Sequence, residues 1–530
     1  MKTNLFSFLI TAFLFPQLCA QTFSYGESNE LSMGLQSGIT NQIGTIGDSY
    51  YVIEHSSPIT SNPIVHIRQI DINTLLVKQT VNINKILTEK IKTEFAGFGD
   101  LIAIKDNIYL FYFKDDKASK NIFFCYAQAL DQNLNPVGSP VKVSSITSDY
   151  NTKTGLLVSR DGSEFGRGLK VDNRHKFGLA KNFFYTISPD STKIVFLSNT
   201  PIAKGNNYVH FSMFDLLKNE ITEHEYEIEL KAKVADLTDF KVDNDGSIFF
   251  STLSYSSKSS VTDVNTPSTI EALLHKRYAK TTEKDKSIVL SLNGKRINSL
   301  SMDFTLNGKM LLTGVYSNNP TEYINHGIFS FMVNIADLSN LKSNTREYPV
   351  DLLKIWFGEK DEKKLNGLDF VIALSKPLIA PDGTAYYFAH RLKLFEYTTP
   401  KYTTISEEYR GALFYQIKPN GEIGWIDLTY QESKNYEGYT RVGGFITLLH
   451  NNNFVLGYNN RIKGKRGLEY RVYDYDGKMT TKFIPYDKKF DNHSLISSTY
   501  IQKEDKHYLL LADLNVMRLV KEFIPMKIIF

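Results

Sequence analysis

Short apolar runs separated by polar turns recur along the whole chain. In Lys376–Arg391 an apolar run leads into Pro381-Asp382-Gly383, and Ala385–Ala389 leaves the turn as a second run. Asp-Gly supplies the positive φ angles that a tight hairpin needs, so this pattern predicts a strand, a turn and a second strand. Looser copies of the unit occupy residues 187–199, 240–253, 304–316 and 448–458.

Asx-Gly pairs mark further hairpins between apolar segments. They occur at Asp161-Gly162, Asp245-Gly246, Asn293-Gly294, Asn307-Gly308, Asp382-Gly383, Asn420-Gly421 and Asp476-Gly477. Sustained helical spacing is almost absent from Gly38 onward. The sequence therefore predicts an all-β chain of antiparallel meanders.

Several predicted strands are apolar at successive positions, which predicts that both of their faces are covered. Examples are Tyr109–Phe113, Ile194–Leu197, Met310–Leu312 and Tyr508–Leu511. Few helices are available as cover, so other sheets must provide it. About eight units of roughly 50–65 residues follow one another. We therefore predict a β-propeller of mostly four-stranded antiparallel sheets, with eight blades and seven as the alternative.

Four segments do not fit the repeat. Gln21–Met33 has no blade of its own, so we expect it, or the strand after it, to pair with the C-terminal unit and close the ring. Lys258–Leu274 is rich in Ser and Thr and predicts a long exposed loop. Asp351–Gly367 predicts a short helix that docks its apolar end and ends at Gly367. Val81–Phe95 fits a helix and a connecting strand equally well.

The N-terminus has the pattern of a secretory signal. Lys2 precedes the apolar run Leu5–Phe15, and Leu18-Cys19-Ala20 ends in a small residue. We expect residues 1–20 to be removed before Gln21, leaving residues 21–530 as one propeller domain. A lipid on Cys19 is the alternative, although the residues before it are not small. No later run of 18 apolar residues follows, so we expect no transmembrane segment after cleavage, and a location in the periplasm, outside the cell, or held peripherally at the outer membrane.

Charge and cysteine content narrow the classes of partner. The formal net charge is only +4, and the positive residues are scattered. The densest basic segment, 461–467 (RIKGKRG), predicts a solvated hairpin tip, and we expect no nucleic-acid partner. Cys125 is the one cysteine left after cleavage and lies in an apolar run, which predicts a buried side chain and no disulfide.

Motifs for catalysis, cofactors and metals are missing. The sequence has no G-x-S-x-G, H-E-x-x-H, paired C-x-x-C, P-loop or G-x-G-x-x-G after a strand, so we predict no cofactor and no metal centre. His224 has carboxylates around it in the sequence, and we expect it to lie on a solvated strand edge. Asp243 and Asp245 in VDNDG (242–246) fit a hairpin turn as well as a calcium-binding loop. Two carboxylates suffice for a glycosidase, but nothing in the sequence selects a pair.

Aromatic and basic residues concentrate between Tyr386 and Arg441, which is the composition expected of a binding face. We expect the tyrosines to lie in or beside loops, with the histidine and the arginines nearby; packing inside a blade is the alternative explanation. The candidate binding residues are His390, Arg391, Tyr397, Tyr402, Tyr409, Arg410, Tyr436, Tyr439 and Arg441.

Two phrases carry a resemblance to known propellers. SPDSTKIVF (188–196) and APDGTAYYF (380–388) resemble the S-P-D-G-x-x-I-x-F phrase of TolB-like propeller repeats, with Ser191 and Ala380 as departures. Residues 409–460 resemble uncharacterised exported propeller proteins of Gram-negative bacteria. The resemblance implies the propeller fold and export, and it brings no catalytic residues.

Three functions remain open from the sequence. The first is a non-enzymatic exported propeller that binds a protein, peptide or glycan partner in the cell envelope. The second is a propeller enzyme of the glycoside hydrolase or lyase type that acts on an extracellular polymer. The third is a structural component of an envelope assembly. The fold alone does not choose among them.

Overall fold

The chain folds into a closed ring of eight β-sheets, which confirms the prediction of an eight-bladed propeller. The structure is a computed structural model. It describes residues 22–31, 37–56, 65–94, 97–115, 122–147, 156–158, 184–198, 208–227, 234–255, 269–279, 283–319, 324–357, 367–368, 371–374, 376–398, 403–436, 445–490, 493–503, 506–514 and 520–529.

The first four blades follow one another along the chain. Blade 1 contains β3 (Ser37–Ile46), β4 (Ser49–Ser56), β5 (Val65–Asp71) and β6 (Val77–Asn82). Blade 2 contains β7 (Gly97–Ile104), β8 (Asn107–Asp115), β9 (Ile122–Leu130) and β10 (Pro136–Thr147). Blade 3 contains β12 (Phe184–Ile187), β13 (Lys193–Ser198), β14 (Tyr208–Asp215) and β15 (Glu220–Glu227). Blade 4 contains β11 (Leu156–Val158), β16 (Val234–Val242), β17 (Ile248–Tyr255), β18 (Thr269–Arg277) and β19 (Lys286–Val289).

The other four blades complete the ring. Blade 5 contains β20 (Arg296–Ile297), β21 (Ser301–Phe304), β22 (Lys309–Ser317), β23 (Gly327–Asn334) and β24 (Lys342–Glu347). Blade 6 contains β25 (Val371–Leu374), β26 (Leu378–Ile379), β27 (Ala385–Thr398), β28 (Thr403–Ile417) and β29 (Ile423–Tyr436). Blade 7 contains β30 (Phe445–His450), β31 (Asn453–Ile462), β32 (Lys465–Tyr473) and β33 (Met479–Pro485). Blade 8 contains β34 (His493–Lys503), β35 (Lys506–Leu514), β36 (Val520–Ile529), β1 (Thr22–Tyr25) and β2 (Asn29–Glu30).

In blades 1 to 7 the strands pair antiparallel in chain order, and β34 to β36 do so in blade 8 before β1 adds to β36. The first strand is innermost, and the first strands of most neighbouring blades contact one another. β11 is the exception. It pairs parallel with β16 on the axis side of blade 4, although its place in the chain predicts that it belongs to blade 3.

Core residues lie between neighbouring blades, as the apolar runs predict. On β8, Leu110 and Tyr112 pack toward blade 1, whereas Phe111 and Phe113 pack toward blade 3. All four side chains are buried. Successive side chains of a strand point to opposite faces, so a continuous apolar run is stable only when a sibling sheet covers each face. Cys125 is buried in the same layer as Phe111, as expected.

The N-terminal segment closes the ring. β1 pairs antiparallel with β36, and β2 pairs with the same strand further along, so blade 8 combines both ends of the chain. This confirms the predicted pairing of Gln21–Met33 with the C-terminal unit. Gly26 lies against blade 1, where a Cβ atom would come within 2.2 Å of the Leu75 carbonyl oxygen.

Asp side chains build the recurring turns between third and fourth strands. Asp71 Oδ1 accepts the N–H groups of Asn73 and Thr74, each at 2.8 Å. Equivalent bonds form at Asp131, Asp215 and Asp474. A short carboxylate that accepts from the backbone two residues on favours a turn over a continued strand. The phrases beginning at these positions are therefore repeated structural units.

The segments outside the repeat differ partly from expectation. Ile83–Lys85 form a helical turn (α1) that continues as a π-helical turn at Ile86–Lys90, so the helical alternative holds there. The predicted loop 258–274 is wrong for its last six residues, which begin β18, because Ala272, Leu273 and Leu274 are buried. Residues 258–268 lie outside the described residues.

The predicted helix at Asp351–Gly367 is present over its first part, and residues 358–366 lie outside the described residues. Helix α2 spans Val350–Phe357 and buries Leu353 against blades 5 and 6. Gly367 has φ +151° and lies against Asn325. In the described part of the chain, no helix is both long and apolar enough to cross a membrane. Residues 1–20 lie outside that part.

Candidate functional site

The two rims of the propeller differ in the length of their connections. On one rim, which we call the turn rim, the first strand joins the second and the third joins the fourth through at most eight residues. On the opposite rim, the loop rim, the second strand joins the third and the chain passes to the next blade. Connections there are as long as the one from Thr147 to Phe184. Binding residues concentrate on long connections held by a rigid scaffold, so the loop rim is the candidate binding face.

Blade 6 extends beyond its neighbours on the loop rim. Among the described residues, its inner strands β25 and β26 pair with β27 as far as Leu392. β27 then continues for six residues, Lys393–Thr398, paired with β28, which itself pairs with β29. At 3.3 Å a residue these six residues reach about 20 Å. We call the projecting part, residues 393–398, 403–408 and 433–436, the blade 6 ribbon.

The predicted binding residues fall on the loop-rim half of blade 6. His390, Arg391 and Tyr397 lie in β27, Tyr409 and Arg410 in β28, and Tyr436 in β29. The expectation that the tyrosines lie in or beside loops is wrong for Tyr409, which lies inside β28. Tyr402, Tyr439 and Arg441 lie outside the described residues, in the two connections that join these strands or lead to β30.

The strand register shows which ribbon positions share a face. Phe395 is opposite Ser406, and Ser406 is opposite Tyr436, so these positions lie on one face. Tyr397 is on the same face because it lies two residues from Phe395. Arg410 is opposite Glu432, a pairing of opposite charges that stabilises neighbouring strands. Within the ribbon itself, Glu408 is opposite Lys393 on one side and Lys434 on the other, so the ribbon combines aromatic positions with paired charges.

A second polar group lies on the innermost strands of blades 4 and 5. Lys241 Nζ is 3.7 Å from Asp239 Oδ1 and 3.9 Å from Asp303 Oδ2. The carboxylate of Asp239 accepts the N–H groups of Phe240 at 2.8 Å and Met302 at 2.9 Å. Since Met302 belongs to blade 5, Asp239 joins the two blades. The Asp303 side chain is more accessible, with 23% exposure against 3% for Asp239.

A histidine network inside blade 4 resembles a catalytic arrangement only superficially. His275 Nδ1 is 2.8 Å from Ser287 Oγ, and His275 Nε2 is 3.0 Å from Thr252 Oγ1. Burial lowers the pKa of His275 to about 3, so the ring is neutral and a weak base. The partner beyond the ring is a hydroxyl and not a carboxylate. Tyr226 of blade 3 also contacts Ser287 at 2.9 Å, and the network therefore joins blades.

The loop at VDNDG (242–246) is a hydrogen-bonded hairpin. Asp243 Oδ1 accepts the N–H groups of Gly246 and Ser247, and Asp245 Oδ1 accepts Ser247 N–H at 2.7 Å. Among the described residues, no group of three His, Cys, Asp or Glu side chains could hold a metal ion. His224 is 7% exposed, so the expected solvated edge is wrong. Burial lowers its pKa, and the Arg277 cation contributes.

Comparison with known proteins gives structural neighbours only. No protein-family model and no curated protein matches the sequence. The Dos1 propeller is similar with 10% identity and a TM-score of 0.39, covering 95% of both chains. The polysaccharide lyase Uly1 has 11% identity and a TM-score of 0.36, over 82% of this chain and 91% of its own. The β-propeller domain of the Trilobed protease from Pyrococcus furiosus has 10% identity and a TM-score of 0.33, over 81% and 95%.

Sequence reasoning found the region of the ribbon but not its form. The aromatic and basic composition indicated blade 6, whereas the projection depends on how far β25 and β26 pair with β27. The sequence did not predict that Asp239, Lys241 and Asp303 form one group, because Asp303 lies on a different blade from the other two. The Asp-x-Lys spacing of the first two could have indicated that they share a strand face.

Proposed function

We propose that this protein is an exported, non-enzymatic β-propeller that binds a protein, peptide or glycan partner in the cell envelope through its loop rim. The observation that carries the proposal is the blade 6 ribbon, the part of β27, β28 and β29 that continues beyond the inner strands of its blade. A propeller does not need this extension for its core, because core packing ends where the neighbouring blades end.

The ribbon has properties suited to recognition. Its strands are continuous with the buried part of blade 6, where Tyr387 and Tyr415 stack with ring centroids 5.3 Å apart. A surface continuous with a rigid core loses little conformational freedom when a partner binds. Aromatic positions at 395, 397 and 436 share one face of this extension. Aromatic side chains supply large contact areas to protein, peptide and glycan partners alike.

Export rests on the N-terminal segment. Lys2, the apolar run Leu5–Phe15 and the small residue Ala20 form the pattern of a cleaved signal. The fold does not require a disulfide, because Cys125 is buried and the cores between blades stabilise the ring. It is therefore compatible with an oxidising compartment outside the cytoplasm as well as with a reducing one. We place the mature protein in the periplasm, outside the cell, or at the outer membrane surface.

A shortened ribbon tests the proposal. Residues 394–407 are replaced by Asn-Gly, so that Lys393 and Glu408, which are opposite one another, flank a two-residue hairpin. Wild-type and shortened proteins are screened on glycan and peptide arrays and by crosslinking to isolated envelopes. We expect the shortened protein to bind the ligands of the wild type at least tenfold more weakly, while its melting temperature changes little.

A matched control changes the other rim. Leu217 is 72% exposed on the turn rim, and Lys218 is its exposed neighbour. The double variant Leu217→Ser, Lys218→Ser is expected to bind as the wild type does. Equal binding by the shortened ribbon and the wild type would show that the ribbon is not the recognition surface.

One observation favours an enzyme as the second candidate. Asp303 is partly exposed on an inner strand and lies 3.9 Å from the Lys241 ammonium group, which gives an acid–base pair on the axis side of blade 5. Turnover on a panel of uronate and neutral polysaccharides, abolished in Asp303→Asn and retained in the shortened ribbon, would establish a glycoside hydrolase or lyase in place of the binding protein.

A further inference from the structure

The basic segment 461–467 forms the tip of a rigid hairpin on the loop rim. β31 ends at Ile462 and β32 begins at Lys465, joined only by Lys463 and Gly464, with φ angles of +50° and +81°. Two positive φ angles are typical of a type I′ turn, whose twist matches that of the strands it joins. The predicted hairpin tip is confirmed. Its geometry is fixed by two residues, the shortest connection on this rim.

The hairpin places like charges opposite one another. Arg461 and Arg466 are direct partners across the two strands. Like charges at such positions destabilise a strand pair, so the fold gains nothing from this choice. Arg466 relieves part of the repulsion by donating from Nη1 to the His493 carbonyl oxygen at 3.2 Å and to Ser494 Oγ at 3.3 Å. These bonds also fix its guanidinium group toward blade 8.

The chain between blades 7 and 8 adds more positive charge beside the hairpin. Tyr486 N–H donates to the Arg466 carbonyl oxygen at 3.0 Å, and a 3-10 turn follows at Lys488–Phe490. Phe490 is buried, with its ring centroid 4.4 Å from that of Tyr25, so the turn is anchored. Lys488 and Lys489 are exposed on it. We define the basic patch as Arg461, Lys463, Lys465, Arg466, Lys488 and Lys489.

The cations at the hairpin tip have no ion-pair partner among the described residues. In the part of the chain that the structure describes, no ion pair joins a carboxylate to Arg461, Lys463 or Lys465, and Asp487 is the acidic residue directly before the 3-10 turn. The whole chain has a net charge of only +4. A concentration of exposed cations on a nearly neutral protein creates a local positive potential that attracts polyanions.

We propose that the basic patch binds an acidic glycan, a linear polymer that carries uronate or sulfate groups. This inference rests on the proposed function and specifies its ligand class. The patch lies on blade 7, on the same rim as the blade 6 ribbon. Carboxylates and sulfates pair with Arg and Lys through charge-assisted hydrogen bonds. A lipid surface fits less well, because Ile462, 37% exposed, is the one large exposed apolar side chain of the hairpin.

The test compares two charge-removed variants of the full mature chain. The patch variant is Arg461→Gln, Lys463→Gln, Lys465→Gln. The control variant is Lys218→Gln, Lys342→Gln, Lys478→Gln, which removes three exposed charges from the turn rim. Binding to polygalacturonate, heparin and neutral dextran is measured by calorimetry at several salt concentrations, with vesicles of phosphatidylcholine and phosphatidylglycerol as a fourth probe.

We expect the wild type and the control variant to bind one or both acidic polymers and not dextran. The patch variant should bind at least tenfold more weakly and show a smaller dependence on salt, because fewer counterions are released. Equal binding by patch and control variants would overturn the proposal, and so would binding to vesicles alone. If no acidic polymer binds but an array ligand is lost on shortening the ribbon, the acidic-glycan inference fails and the binding function stands. If polymer binding needs the patch but survives shortening of the ribbon, the patch inference stands and the ribbon's role fails.

Discussion

The guanidinium carbon of Arg68 in blade 1 lies 4.8 Å from the centre of the Phe523 ring in blade 8. The same guanidinium group donates to Glu54 Oε2 at 2.6 Å and to the carbonyl oxygen of Glu30 at 2.8 Å. One side chain therefore contacts the first blade, the last blade and the N-terminal segment that closes the ring. The side chains of Arg68 and Glu54 are both buried, with 5% and 0% exposure.

Arg68 is predicted to be the most sensitive polar residue of the closure. Removing one partner of a buried ion pair leaves the other charge in a poorly solvated site, which costs about 3–5 kcal/mol. We expect Arg68→Ala to lower the free energy of unfolding by about that amount in urea titrations. The double variant Arg68→Met, Glu54→Leu removes both charges and should be less destabilised than Arg68→Ala. Equal losses in the two variants would contradict this account.

Gly26 is predicted to be required at the junction of blades 8 and 1. Its N–H donates to the Pro525 carbonyl oxygen at 2.8 Å, and an added Cβ would come within 2.2 Å of the Leu75 carbonyl oxygen. Because both neighbours are backbone, Gly26→Ala should force β1 away from its partners and lower the melting temperature. Gly138→Ala is the control, since Gly138 has φ +67° but open space around it. In Gly138→Ala, the strain of a positive φ angle in a residue with a Cβ atom costs about 1–2 kcal/mol by itself. A smaller loss at Gly26 than at Gly138 would show that closure is not tight there.

Ring closure also predicts the effect of deleting the N-terminal segment. A variant that lacks residues 22–31 loses β1 and β2, so one edge of β36 is left without a strand. Unpaired backbone groups and the uncovered edge should lower the melting temperature and promote aggregation. Unchanged melting behaviour would remove the N-terminal segment from the closure.

Stability is predicted to fall as pH rises from about 4 to 7 because of Asp243. Burial, together with the neighbouring Asp245 carboxylate, raises the pKa of Asp243 from 3.8 to about 7. In this window the unfolded chain has released the proton that the folded chain retains, so rising pH favours unfolding, and the loss levels off above pH 7. The hydrogen bond from Asp243 lowers the pKa of Asp245 to about 2, so that residue contributes a loss only below pH 4.

Asp243→Asn isolates this effect. The amide oxygen can still accept from Gly246 and Ser247, and the amide N–H can donate to Asp245, so the variant imitates the protonated acid. We expect its melting temperature to exceed that of the wild type at pH 8 and to approach it at pH 4. A difference that stays constant from pH 4 to 8 would show that Asp243 does not titrate as described.

Processing of the N-terminus gives a prediction independent of the fold. Cleavage after Ala20 predicts a secreted chain that begins at Gln21, which intact mass spectrometry and N-terminal sequencing can identify. Cys19→Ser should leave cleavage and location unchanged, because the lipid alternative is the one that requires this thiol. A retained signal, or a mature chain starting at a lipidated Cys19, would contradict the proposed export route.

The sequence by itself determined the architecture. Runs such as Tyr109–Phe113 are apolar on both faces of a strand, and this local property demands a sheet on either side. Turn chemistry acts over a few residues, so Asp382-Gly383 could be identified as a hairpin without coordinates. The pairing of the N-terminal segment followed from counting strands. Interactions between residues close in the chain, repeated from unit to unit, can be identified from the sequence alone.

Only the tertiary structure decided where charges meet and which surfaces project. Thr269–Leu274 became part of a strand because the neighbouring sheets bury it, which composition did not show. The ribbon depends on where β25 and β26 stop pairing with β27. The basic patch depends on the position of Lys488, in the connection between blades 7 and 8, beside the hairpin that joins β31 and β32. Contacts between distant segments depend on register and on the closure of the ring, and neither is encoded in the residues next to them.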